Sequence, residues 1–174
     1  FLDEAVDLLK KAGANVSDGN LVRIEPDLVE KALTTVPNKI VLHDRLGNPA
    51  ISLDGDRCYY GPGSDCINII DRRTGQRRKP VLKDLMEGVS LCDALSNIDF
   101  LMSMIIPTDV SGTIADRYQM EAMLTFSTKP IIFVSYDIEG CKDAVEMAVA
   151  VAGGVEALKE KPYIACYINA VSGL

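Results

Sequence analysis

Hydrophobic spacing gives the chain two textures. Up to residue 81 the apolar positions come in short mixed clusters, and beyond it they alternate between helical stripes and strand-length runs. Leu2, Ala5, Val6 and Leu9 recur on one helical face, so Phe1 to Leu9 is predicted to be an amphipathic helix that ends before Gly13. Pro26 suits the first turn of a second helix, because its missing N–H would have no partner there anyway. Leu28, Val29, Ala32 and Leu33 continue that stripe until Pro37 stops it. Ile40-Val41-Leu42 and Ile51-Ser52-Leu53 flank Gly47-Asn48-Pro49, and Ile67 to Ile70 precede Thr74-Gly75, which predicts two antiparallel hairpins between residues 39 and 81.

Beyond Pro80, Leu82 to Leu95, Ile114 to Phe126 and Cys141 to Ala152 have helical spacing, the last closed by Gly153-Gly154. Phe100 to Ile106, Pro130 to Tyr136 and Tyr163 to Asn169 lie between and after them as near-continuous apolar runs. Such strands suit a parallel sheet covered by helices, the α/β class. A TIM barrel and a doubly wound sheet repeat the same right-handed crossover, so spacing leaves both open. The chain starts inside a helix without a cap and stops just past a strand. Three parallel strands cannot close a barrel, so it is expected to be a fragment of a longer polypeptide. The organisation read from the pattern is a helical and β-hairpin extension over residues 1–81 and the start of an α/β domain over 82–174.

Composition narrows the partners. Of 174 residues, 48% are hydrophobic and 25% charged, which permits a packed core, and the net charge of −7 argues against nucleic acid, whose phosphates demand lysine and arginine. Arg72, Arg73, Arg77, Arg78 and Lys79 surround Thr74-Gly75-Gln76 and read first as a solvated hairpin tip, second as a docking patch. Cys58, Cys66, Cys92, Cys141 and Cys166 include no C-x-x-C pair and are odd in number, which points to a reducing cytoplasm and away from a disulfide framework or zinc ribbon. No apolar stretch is long enough for a membrane span. His43, the lone histidine, falls on a hairpin strand and reads as structural, so no metal site or histidine-based catalytic set is expected.

In both α/β architectures ligands sit at the carboxyl ends of the parallel strands. There the sequence reads Pro107-Thr108-Asp109, Ser135-Tyr136-Asp137, and Asn169 with Ser172 close by. Asp137 and Ser172 read first as caps or loop residues. Asp109, Tyr136 and Asn169 each end or directly follow an apolar run and are candidate ligand contacts. Tyr59-Tyr60-Gly61-Pro62-Gly63-Ser64 matches no phosphate-binding fingerprint. It reads either as a tight turn or as a place where Gly61, Gly63 and Ser64 let backbone approach a ligand while Tyr60 offers a face to a cation. The methionines at core spacing, among them Met104, Met120, Met123 and Met147, read as packing.

Several of these features recur in an order that resembles a known family. Gly13-Ala14, Val22-Arg23-Ile24 with Pro26 and Leu28-Val29, Leu42-His43, Tyr60-Gly61-Pro62-Gly63, Arg78-Lys79-Pro80, Asp84-Leu85, Asp93-Ala94-Leu95, Asn97-Ile98-Asp99-Phe100, Lys129-Pro130-Ile131 and Tyr167-Ile168-Asn169 are together similar to the amino-terminal region of the trimethylamine methyltransferase family. The resemblance implies a TIM (β/α)8 barrel, of which only the first three or so strands are present, preceded by a helical and hairpin extension. It also implies methyl transfer from a tertiary or quaternary amine, such as trimethylamine or glycine betaine, to the corrinoid (cobalamin) of a separate cognate corrinoid protein. A homo-oligomer is compatible with it. Prolines expected near Ala170 and Gly173 are missing, and the pyrrolysine that marks some members would lie beyond Leu174.

A fixed positive charge calls for aromatic faces and carboxylates, which position and residue type assign here to Tyr60, Tyr136 and Asp109, with an amide, Asn169, for a substrate carboxylate. No catalytic residue is assigned. Two other readings stand beside it: a small-amine-binding barrel without the chemistry, and an unrelated hydrolase or lyase using Asp109 and Asp137 as acid and base.

Overall fold

A computed structural model describes residues 3–168 and shows two compact units, which divide after Asn38. In the first, α1 (Asp3–Ala12) precedes a hairpin of β1 (Asn15–Ser17) and β2 (Leu21–Arg23), followed by α2 (Pro26–Leu33). The β1–β2 turn uses Asp18 and Gly19 at positive φ, 52° and 82°, which these two residue types tolerate best. Pro26 occupies the first turn of α2 as its missing N–H requires.

The second unit opens with two antiparallel hairpins. The first joins β3 (Ile40–His43) to β4 (Pro49–Leu53), and Asp44 closes its loop by accepting from the backbone N–H groups of Leu46 and Asn48. The second joins β5 (Ile69–Ile70) to β6 (Arg77–Arg78). Alternation of helix and strand then follows: α3 (Leu82–Ala94), β7 (Leu101–Met102), α4 (Ala115–Phe126), β8 (Ile131–Phe133), α5 (Ile138–Ala152), α6 (Val155–Glu160) and β9 (Ile164–Cys166). The last three strands form one parallel sheet in the order β7-β8-β9, with Leu101 opposite Ile131 and Ile131 opposite Ile164.

The contacts thus group the hairpins of residues 39–81 with the parallel sheet. The apolar run from Phe100 to Ile106 is regular strand only at Leu101–Met102, after which Cys66 bridges Ile105 in parallel.

The core lies between the sheet and its helices. Leu85 and Val89 of α3, Met120 and Met123 of α4, and Ala144 and Ala148 of α5 close on Leu101, Ile131 and Phe133. The Tyr163 hydroxyl is also taken inside and donates to the Ala148 carbonyl at 2.6 Å. Burying a polar tip is tolerable only with such a partner.

The β3–β4 hairpin is tied to the chain just before β8 and β9, since His43 N–H donates to the Pro162 carbonyl and Arg45 N–H to that of Thr128. The same end is fixed by Asp93, which accepts from the Ser127 hydroxyl and Thr128 N–H, and by Lys129, whose ammonium donates to the Cys92 and Leu95 carbonyls. The amino ends of the strands are therefore closed by structure. Chemistry is left to the carboxyl ends.

Candidate functional site

The stretch Tyr60 to Cys66 runs beside Asp99 to Ile105, as its hydrogen bonds show. Asp99 N–H donates to the Tyr60 carbonyl, Asp65 N–H to that of Ser103, and Cys66 N–H to that of Met104. This path starts at the amino end of β7 and finishes at its carboxyl end. Tyr60 is consequently exposed at the amino end, its own N–H donating to the Asp99 carboxylate at 2.7 Å, and it does not share a site with Tyr136.

The glycines of this stretch have a packing reason. A Cβ at Gly61 would fall inside the ring of Phe100, so the backbone approaches that ring and not a ligand. Gly63 has open space around its Cα, and Ser64 is half-buried.

The path delivers Asp65 to the strand ends, and this residue, not Tyr60, meets Tyr136. Asp65 sits at φ 54°, a left-handed conformation that aspartate adopts more readily than most side chains. Its Oδ1 is shielded from solvent and has no hydrogen-bond partner among the described residues. Beside it Gln119 of α4 is completely buried. Its amide nitrogen donates to the Ile105 carbonyl at 2.7 Å, while its oxygen Oε1 is likewise buried and unpartnered. Burial pushes the Asp65 carboxyl up, against the hydrogen-bonding influence of Gln119 and Tyr136, and the nearby Asp116 charge adds to the rise. Burial also pushes the Tyr136 phenol up, to about 12, assisted by the charges of Asp65 and Asp116. The phenol is therefore neutral at any physiological pH.

A second, fully paired network holds Tyr136 in place. Asp116, 4% exposed, accepts from the Ser135 hydroxyl and Tyr136 N–H through Oδ2, and from Arg117 through Oδ1. Arg117 also donates to Asp143 at 2.9 Å and to Asp137 at 3.1 Å, so one guanidinium links three aspartates around the β8–α5 loop. The planar fork of arginine suits this sharing. Gly140 lies so close to Asp116 and Arg117 that a side chain there would collide with both.

Asp137 is the N-cap of α5, accepting from Gly140 N–H, and that bond together with Arg117 holds its carboxyl below the ordinary range. Asp109, exposed, accepts from Leu82 N–H at 2.7 Å and so caps α3 from a neighbouring loop. Both carboxylates that a hydrolase or lyase would have used are committed to helix starts, and the depressed Asp137 carboxyl is poorly suited to general acid duty. Asn169 lies outside the described residues.

The arrangement is rich in acceptors: one carboxylate oxygen, Asp65 Oδ1, and one amide oxygen, Gln119 Oε1, have no hydrogen-bond partner among the described residues, beside a neutral phenol. Unmet buried acceptors cost free energy, about 1–3 kcal/mol each, which a ligand carrying positive charge would recover. Sequence reasoning places Tyr136 here but misses Asp65, Asp116 and Gln119. The available signals were Asp65 directly after the glycine-rich turn and the i, i+3 pair Asp116–Gln119 on the apolar face of a helix.

No group of three or more histidine, cysteine, aspartate or glutamate side chains among the described residues could hold a metal ion, and none of their helices is long and apolar enough to cross a membrane.

Comparison with known proteins gives a consistent picture. The family model for trimethylamine methyltransferase matches residues 1–174. The chain is 29% identical over 172 residues to trimethylamine methyltransferase MttB of Desulfitobacterium hafniense (strain DSM 10664 / DCB-2), covering 98% of this chain and 35% of that protein. It is 26% identical over 173 residues to a glycine betaine methyltransferase of Desulfitobacterium hafniense (strain Y51), covering 99% and 36%. It is 29% identical over 137 residues to a proline betaine:corrinoid methyltransferase of Eubacterium limosum, covering 74% and 26%. The chain thus spans about a third of the length of the first two relatives.

Proposed function

The chain belongs to the trimethylamine methyltransferase family, and on that premise we propose that the protein containing it moves a methyl group from a tertiary or quaternary amine to the corrinoid of a partner protein. Glycine betaine-like amines are the favoured substrates in this reading, with trimethylamine second. The reading includes a cytoplasmic setting and a TIM barrel whose first parallel strands are β7, β8 and β9.

The observation that carries it is the pair of buried, unpartnered acceptors, Asp65 Oδ1 and Gln119 Oε1, beside Tyr136 at the strand carboxyl ends. A methylated ammonium has a diffuse positive charge that favours carboxylates and aromatic faces. The relatives named above act on amines of this class, according to their names.

A reduced corrinoid supplies a nucleophilic cobalt that takes the methyl group. The residues of this chain then serve the amine. Asp65 balances its charge, Tyr136 presents a neutral ring, and the Asp116–Arg117 network fixes the loop that bears Tyr136. Their contribution to rate is orientation of the methyl group and exclusion of water, with no proton to move.

The test uses the full-length protein with its cognate corrinoid protein in the reduced state and glycine betaine, proline betaine or trimethylamine. Appearance of the singly demethylated amine, dependent on the corrinoid protein, is expected with one of them. No demethylated product from any methylated amine would overturn the reading. Binding without turnover would favour the amine-binding barrel, and turnover without corrinoid the hydrolase or lyase.

A further inference from the structure

We propose that Cys141 and Cys166 form a dithiol site that a peroxide converts to a disulfide, joining the first turn of α5 to the end of β9. The topology brings them together. α5 starts at the carboxyl end of β8, so Cys141, one turn into it, lies at that end of the sheet. Cys166 is the last residue of β9, opposite Phe133 in β8, and so reaches the same end from the neighbouring strand.

Both are half-buried and free, and both border one groove of about 620 Å³, together with Tyr136, Lys142, Val145 and Ile168. Cys58, Cys66 and Cys92 are absent from its lining. The two thiols act on each other directly: burial raises the Cys166 thiol, and the Cys141 sulfur raises it further as a neighbouring charge and as a hydrogen-bond partner. Both influences hold the proton on Cys166, which therefore serves as the resolving thiol.

The step balances with hydrogen peroxide as oxidant. The Cys141 thiolate attacks one peroxide oxygen, the O–O bond breaks, and a sulfenic acid and water result after protonation. The Cys166 sulfur then attacks the Cys141 sulfur, the S–S bond forms, the S–O bond breaks, and a second water leaves with the Cys166 proton. Two thiols are oxidised and one peroxide is reduced to two waters. A reducing cytoplasm restores the dithiol.

This inference does not depend on the methyl-transfer reading. Reduced full-length protein is treated with hydrogen peroxide, its remaining thiols are alkylated, and the peptides are mapped by mass. The expected result is one linked pair, Cys141 with Cys166, two fewer alkylated thiols, and reversal by dithiothreitol, with Cys58, Cys66 and Cys92 still alkylated. In Cys166→Ser a sulfenic acid on Cys141 should accumulate and react with dimedone. Linkage of any other pair, or oxidation of both cysteines without linkage, would overturn the proposal. The wild-type map decides alone if the variant does not fold.

Discussion

Replacing Asp65 by asparagine separates the charge of the carboxylate from its shape. The amide fills the same space and tolerates the same left-handed backbone, φ 54°. A quaternary nitrogen held behind its methyl groups lies about 5 Å from a carboxylate, and at an effective dielectric of about 20 the attraction is about 3 kcal/mol. Partial access of solvent reduces this to about 1–2 kcal/mol, a loss of about fivefold to thirtyfold in amine affinity.

Stability should move the other way. Burial raises the folded-state carboxyl above its unfolded value, so ionisation of Asp65 costs stability at pH values above both and costs nothing below both. At pH 7 the asparagine variant is therefore expected to equal or exceed the wild type by up to about 1 kcal/mol, and the difference should vanish near pH 3. Calorimetric titration of the full-length protein with glycine betaine, and with a carbon isostere in which a quaternary carbon replaces the nitrogen, isolates the charge. Urea midpoints at both pH values give the stabilities. Unchanged amine affinity together with a clear loss of stability at pH 7 would refute the reasoning and leave Asp65 as a structural acceptor for Gln119 and Tyr136.

Two further outcomes concern the frame around the site. Gly61→Ala pushes a methyl into the Phe100 ring and should cost about 1–3 kcal/mol in urea unfolding. Gly61→Ala with Phe100→Leu should cost less than the sum of the single changes, and strict additivity would sink the packing explanation. Asp71 is held down to about 2, first by its hydrogen bond from Arg78, and Asp84 is also lowered first by Arg78. Their contribution is thus present above about pH 4 and fades as pH falls toward 2, so Asp71→Asn should flatten the acid limb of the stability profile; an unchanged limb would show that Arg78 contributes nothing there.

The fold was largely legible where local signals were strong. The runs at Ile131–Phe133 and Ile164–Cys166 are apolar because helices cover the sheet, and α5 carries both its marks, Asp137 at the start and Gly153 at φ 83° at the end. The β1–β2 hairpin and α6 were missed, the first because its strands have three residues each and the second because six residues give no periodicity. The candidate site was legible only in part. Tyr136 and Asp137 lie beside a recognisable strand, but Asp65 reaches Tyr136 across about seventy residues of sequence, and no local pattern reports such a meeting. Gln119 and Asp116 read as ordinary polar positions of a helix until packing turns them inward. Tyr60 was chosen for its ring, while the chain from Tyr60 to Cys66 carries ring and carboxylate to opposite ends of β7.

On the proposed reading, the left-handed position at residue 65 would be a marker of substrate charge. Glycine or asparagine would occupy φ 54° at least as easily, so on that reading the carboxylate is kept there for its charge. A protein of this fold that had turned to an uncharged ligand would be free to drift to the easier residue. Among sequences of this kind, the residue found at the end of the glycine-rich turn would sort binders of cations from binders of neutral molecules before any of them is assayed.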